Sequence, residues 1–169
     1  MAGDVTSEFQ EFWTQTAQKL RAYMFCSCEN WADADDMVQD CYLRALRGWG
    51  QFDGKASRQA WLYGIARRTC IDWFRRRKRD GLTVRIESVD EPSQVDAAEP
   101  AVDNVEKVWD VVKSLSPEQS QVIHLRFAAG LSYAQIAQAL GIPVGTVRSR
   151  LHRGLEGIRE RVGRWENET

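Results

Sequence analysis

Residues 81–104, GLTVRIESVDEPSQVDAAEPAVDN, carry two prolines and no sustained helical apolar stripe. A stretch of over twenty residues with no element of its own is awkward inside one compact domain and natural between two. This segment therefore constrains the fold more than any other, because it predicts two small bodies on a tether. Charge follows the same division. Residues 81–106 hold seven acidic side chains and one basic. Residues 1–80 hold 13 basic and 11 acidic, and residues 107–169 hold nine and six. The net charge of -1 conceals two mildly basic blocks around an acidic one.

Each block reads as helix. Phe9, Phe12, Trp13, Ala17, Leu20 and Met24 recur at helical spacing, as do Met37, Val38, Cys41, Tyr42, Ala45 and Leu46. Asp33 with Asp36 resembles a capping box that opens the second helix. The glycine-rich GWGQFDGKAS predicts a loop, and a third helix runs from about Ser57 to Arg79, ending in the basic run RRRKR that suits the negative helix pole. Beyond the tether, Val105, Val108, Trp109, Val112 and Leu115 form one helix. Ser116 to Gln119, SPEQ, then signals a fresh start: a cap, Pro at the first helical position and Gln at the third. The helix it opens holds Val122, Ile123, Leu125 and Phe127 and stops near Gly130. Ser132 and Gly141 bracket a short helix, and a final one follows Pro143. No segment alternates with period two for long enough to make a strand, so the expected class is all-α: two small helical domains joined by a flexible acidic linker.

The final helix sorts sharply on a wheel. With Val147 at zero and about 100° per residue, Val144, Leu151, Leu155 and Ile158 fall within about 80°. Ser149, His152, Arg153 and Thr146 take the other side, flanked by Arg148 and Arg150. No acid occurs from Pro143 to Gly154. A short helix, a tight turn and a second amphipathic helix of this kind is the helix-turn-helix plan. Its basic face fits the major groove, where arginine can pair with guanine O6 and N7.

Other chemistries find little support. Cys26, Cys28, Cys41 and Cys70 match no metal-ligand spacing, and the two histidines, His124 and His152, lie far away in sequence. Reduced, buried thiols are the expectation, with no metal, no cofactor and no small-molecule substrate. No nucleophile–base pair or phosphate-binding glycine loop argues for an enzyme. The amino terminus MAGDVTSEFQEFW is acidic and polar where a signal peptide would be basic and then apolar, so a cytoplasmic protein is expected.

SPEQSQVIHLRFAAGLSYAQIAQALGIPVGTVRSRLHRG resembles the promoter-binding carboxy-terminal domain of extracytoplasmic-function (ECF, group IV) sigma factors of the bacterial sigma-70 family. ADADDMVQDCYLRAL and SRQAWLYGIARRTCIDWFRRRKR resemble that family's other domain. The resemblance implies three parts: residues 1–80, docking on polymerase and recognising and melting the -10 element; an acidic linker over 81–104; and residues 105–169, recognising the -35 element.

Residue roles follow from that resemblance. The polymerase β′ coiled coil would meet Asp36, Gln39 and Asp40, with the β subunit a further contact; the same three residues could equally form a solvated acidic face. Lys55, Ser57, Trp61, Arg67 and Arg68 would hold the opened -10 strand, with Trp61 either stacking on a base or serving as core. The family often has Asn where Arg68 stands, so Arg68 is read as a phosphate contact. Arg75 and Arg76, at the head of the run ending in Arg79, would grip duplex backbone. Arg148, Ser149, His152 and Arg153 would read the -35 bases, and Thr146 and Arg150 would hold phosphate. Gln135 stands where the family often has Glu. The implied function is promoter-specific transcription initiation with core RNA polymerase, held in check by an anti-sigma factor that could keep the protein at the membrane. The alternative is a free-standing helix-turn-helix regulator that binds DNA without polymerase. The acidic linker would thread the polymerase along the later path of RNA, or be a solubilising tether.

Overall fold

The structure is a computed structural model that describes the backbone of residues 2–81 and 109–167, and the side chains of 6–81 and 109–163. The expected linker, apart from Gly81, and residues 105–108 lie outside the described residues. Among the described residues every regular element is helical.

Three helices build the first unit: α1 (Ala2–Cys28), α2 (Trp31–Trp49) and α3 (Arg58–Arg79). A two-residue turn folds α2 back on α1, with Glu29 in the left-handed region at φ 56. Asn30 is extended and its side chain accepts the Asp33 N–H at 3.0 Å, so α2 starts at Trp31. The expected Asp33–Asp36 box is thus displaced. Asn30 caps the helix first, Trp31 stacks on Phe25 at 3.9 Å, and the Asp33 carboxylate pairs with Arg77 of α3 at 2.8 Å. Ser57 caps α3 by accepting the Ala60 N–H. Phe9, Leu20 and Met24 of α1, Met37, Cys41 and Ala45 of α2, and Leu62, Tyr63 and Ala66 of α3 make the buried core. Around Phe9, Tyr42 and Trp49 pack at ring separations of 5.3 and 5.2 Å.

The second unit comprises α4 (109–113), α5 (Pro117–Ile123), α6 (Tyr133–Leu140) and α7 (Val144–Asn167). Both expected starts carry complete capping boxes, Ser116 with Gln119 and Ser132 with Gln135. Gly141, at φ 66, ends α6 in the left-handed conformation that a side chain would resist. Val147 and Leu151 face the core beside Val122, Leu125 and Ile136. Val144 departs from the wheel: it opens α7 at the end of the stripe and is 37% exposed. The helix expected to run unbroken toward Gly130 changes pitch after Ile123, continuing as a π-helical turn over His124–Ala128. Leu125 is buried there while Phe127 projects, 58% exposed. Arg126 donates to the Leu131 carbonyl at 2.8 Å and lies over the Tyr133 ring, fastening the turn into α6.

Two glycines let α7 cross its neighbours closely. A Cβ on Gly154 would stand 2.7 Å from Ile123 Cδ1, and one on Gly157 would stand 2.9 Å from Leu115 Cδ2. The two units also meet. The α6 helix lies along α3, the π turn lies against α1, and buried residues of both units join one apolar cluster.

Candidate nucleic-acid interface

The recognition-helix candidates fall into two groups. Arg148, His152 and Arg153 are exposed along α7. The Arg148 side chain forms no ion pair or hydrogen bond with another described residue and is exposed. His152 Nδ1 stands 3.6 Å from Glu156 Oε2, too long for a hydrogen bond. Arg153 edges a groove shared with Ser116, Gln119 and Glu156. Thr146, Ser149 and Arg150 are half-buried. The Ser149 hydroxyl donates to the Thr146 carbonyl at 3.0 Å, which ties it to its own helix. Glu118 is held below the usual carboxylate range by backbone and Ser116 hydrogen bonds first, with Arg150 adding to the effect. Arg150 therefore sits near a carboxylate as well as near the open face.

On α2, Asp36 and Gln39 are exposed and Asp40 is half-buried. All three line one cleft of about 510 Å³ with Leu43, Trp73, Arg76 and Arg77. Asp40 accepts from Arg44 at 3.2 Å and from Arg76 at 3.4 Å. The cleft thus joins a rim of mixed charge, with Asp36 exposed and Asp40 paired, to an apolar floor of Met37 and Trp73. Leu43, 47% exposed, was not singled out by the sequence reading. It lies four residues after Gln39 and off the buried stripe, and that offset was the available signal.

The candidates for the opened strand are not gathered on one open surface. Lys55 is exposed but paired with Asp53 at 2.9 Å. Arg68 and Arg75 are exposed. Trp61 is half-buried and packs on Trp49 and Phe52 with ring separations of 6.0 and 5.5 Å, so it supports the loop from the rim of the core. Arg76 holds Asp40. Ser57 and Arg67 face the second unit: the Ser57 N–H donates to Gln138 Oε1 of α6 at 3.2 Å. Arg67 lines a crevice of about 260 Å³ with Tyr23, Pro117, Ser120, Gln121 and His124, and its Nε is buried without a hydrogen-bond partner.

The expected burial of the thiols holds for Cys41 and Cys70. All four cysteines are free, and burial pushes Cys41 and Cys70 up to about 12 and Cys26 up to about 11. Cys26 and Cys28 are half-buried where full burial was expected, since both lie near the carboxyl end of α1. His124, walled in beside Trp109 with ring centres 5.4 Å apart, is pushed down to about 4 by burial. Among the described residues no helix is long and apolar enough to cross a membrane.

The fold defines a two-unit helix-turn-helix protein. Residues 12–80 match the Sigma-70 region 2 family and residues 106–156 match Sigma-70 region 4. The chain is 31% identical over 161 residues to the ECF RNA polymerase sigma factor SigX of Bacillus subtilis, covering 91% of this chain and 83% of that one. It is 35% identical over 130 residues to the RNA polymerase sigma-E factor of Streptomyces coelicolor, covering 77% and 72%. Among solved structures, the sigma factor RpoE from Bartonella quintana, in complex with the anti-sigma factor NepR, aligns at a TM-score of 0.76 and 26% identity over 92% of this chain and 97% of that one. CnrH, in complex with the cytosolic domain of CnrY, shares the fold at a TM-score of 0.70 and 21% identity, over 94% and 89%. The chain belongs to the sigma-70 family and is an RNA polymerase sigma factor of the ECF group.

Proposed function

We propose that residues 1–80 dock on core RNA polymerase and take the -10 element, that 81–104 link the two units, and that 105–169 read the -35 element. The observation that carries this reading is the pairing, in one chain, of two unlike surfaces. One is the outward basic face of α7, which holds no acid from Pro143 to Gly154. The other is the cleft on α2 where Asp36, Gln39 and Asp40 stand beside the apolar Met37, Leu43 and Trp73. A major groove accepts the first, and a basic helical partner such as the β′ coiled coil accepts the second.

Within this reading Arg148, His152 and Arg153 read bases, while Thr146 and Arg150 hold phosphate. Ser149 reaches a base edge after giving up its bond to Thr146. Lys55, Ser57, Trp61, Arg67 and Arg68 form the site for the opened strand, and Arg75 and Arg76 grip duplex backbone. The protein acts in the cytoplasm. An anti-sigma factor controls it, as the likeness to the NepR-bound sigma factor supports, and could hold it at the membrane. Two sites on one tether let modest individual affinities combine once polymerase fixes their spacing.

Run-off transcription with bacterial core RNA polymerase on a library of promoter fragments tests this directly. The protein should select a subset of promoters sharing -35 and -10 sequences, and Asp36→Ala/Asp40→Ala should abolish the selection without altering helicity. Transcripts that start identically with and without the protein would end the proposal.

A further inference from the structure

On the first three helices, Arg21, Arg44, Arg58, Arg76 and Arg77 each hold a carboxylate. Arg67 holds none. It lines the crevice of about 260 Å³ between α1, α3 and α5 with its Nε buried, and its side chain forms neither ion pair nor hydrogen bond with a described residue. A guanidinium donor shut away from water without an acceptor costs free energy, and a ligand that supplies the acceptor removes that cost.

The lining residues select the ligand. No carboxylate is among them, and the other ionisable groups are neutral near pH 7. Burial pushes the Cys26 and Cys70 thiols up to about 11 and 12, keeps the Tyr23 phenol protonated and pushes the His124 imidazole down to about 4. Arg67 is therefore the single charge in the lining and matches one negative charge, whereas a phosphate dianion needs a second cation. The Ser120 and Ser27 hydroxyls are already committed to the Val112 and Tyr23 carbonyls, which leaves little for a polyol, while Ile71, Phe74 and Pro117 offer apolar surface. The volume matches that of roughly nine water molecules in the liquid, room for a compact ligand of about ten non-hydrogen atoms.

We propose that this crevice binds a small carboxylate with a flat apolar body, its carboxylate on the Arg67 guanidinium and its body against Ile71, Phe74 and Pro117. The proposal is independent of the assignment of Arg67 to the opened strand. A bidentate, charge-assisted contact supplies the anchor, and the apolar walls exclude water from it.

Benzoate, a flat carboxylate of matching size that is ionised at pH 7, is the probe, titrated into the full chain at constant ionic strength. Its Kd should be on the order of 1 mM. The chain has two histidines, so proton NMR of the imidazoles locates the ligand. His124, which lines the crevice, should shift to saturation, and His152, exposed on α7, should not. Benzamide, the same body without the charge, and inorganic phosphate, charge without the body, should each bind about tenfold more weakly or worse. Arg67→Met keeps the length of the side chain and drops the guanidinium, and should weaken benzoate by about tenfold or more, with circular dichroism checking that helix content is retained. Both histidines shifting alike, or neither shifting, overturns the site. Benzamide binding as well as benzoate overturns the part given to charge, and phosphate binding as well overturns the part given to the apolar walls. These comparisons use the unaltered chain, so they decide the matter even if Arg67→Met does not fold; unchanged benzoate affinity in a folded Arg67→Met overturns the assignment of the anchor. Promoter selection with core polymerase tests the wider function separately.

Discussion

Arg148→Ala isolates base reading from folding more cleanly than any other substitution on α7. The Arg148 side chain is exposed and forms neither ion pair nor hydrogen bond with another described residue. Its removal should therefore change stability by no more than about 0.5 kcal/mol. Arg150 and Arg153 lie near Glu118 and Glu156, so their truncation would also disturb local electrostatics. A bidentate arginine contact to guanine is worth about 1–3 kcal/mol of discrimination, or roughly 5- to 150-fold in relative affinity. The assay is run-off transcription with core polymerase on templates that vary one -35 base pair at a time, repeated at several salt concentrations. The expected result is a loss confined to the base pair that Arg148 reads, with the ranking of other positions preserved. A uniform loss on every -35 sequence, with the salt slope falling by about 1, would show that Arg148 touches only phosphate and would refute the assignment.

Further outcomes concern packing and protonation. Gly154→Ala should destabilise the second unit despite the better helix propensity of alanine. The new methyl meets Ile123 Cδ1 at 2.7 Å, and overpacking costs about 1–3 kcal/mol against about 1 kcal/mol gained in the helix. Adding Ile123→Val, which removes the colliding carbon, should recover much of the loss in thermal melting; strict additivity would refute the steric account. The pH dependence follows from His124, whose folded-state value lies at about 4 against an ordinary 6.5. The unfolded chain takes up this proton first as pH falls, so the contribution is intact above about pH 6.5 and is lost on descent to about 4, roughly 3 kcal/mol in all. Urea midpoints measured between pH 7 and 4 should fall less steeply in His124→Gln than in wild type, and parallel curves would rule out His124 as the cause.

Helix positions were legible in the sequence where side chain and backbone signals coincide. Ser57, Ser116, Ser132 and Gly141 mark boundaries that the structure keeps, because each meets a backbone requirement within three residues of itself. The start of α2 lies before the expected Asp33–Asp36 box: Asn30 caps the helix where Trp31 stacks on Phe25, a contact between two helices that the local pattern does not encode. The π turn carries no local signature at all. It arises where Leu125 must stay buried while the chain turns toward α6, a tertiary demand that periodicity does not encode. The exposed arginines of α7 could be read from the wheel, since exposure on one helix is a local property. That Ser57 and Arg67 face the second unit could not be, because Gln138 lies 81 residues from Ser57.

The self-contained endings of α5 and α6 have a mechanical consequence. Each capping box closes on a residue three positions along the same segment, Ser116 on Gln119 and Ser132 on Gln135, so neither helix borrows a stopper from the first unit. Pulling the halves apart breaks the bond from Gln135 Nε2 to Gln59 Oε1 and releases the Ser57 amide from Gln138, yet both helices keep their caps. The second unit can therefore part from the first as a finished piece, its helix starts already closed.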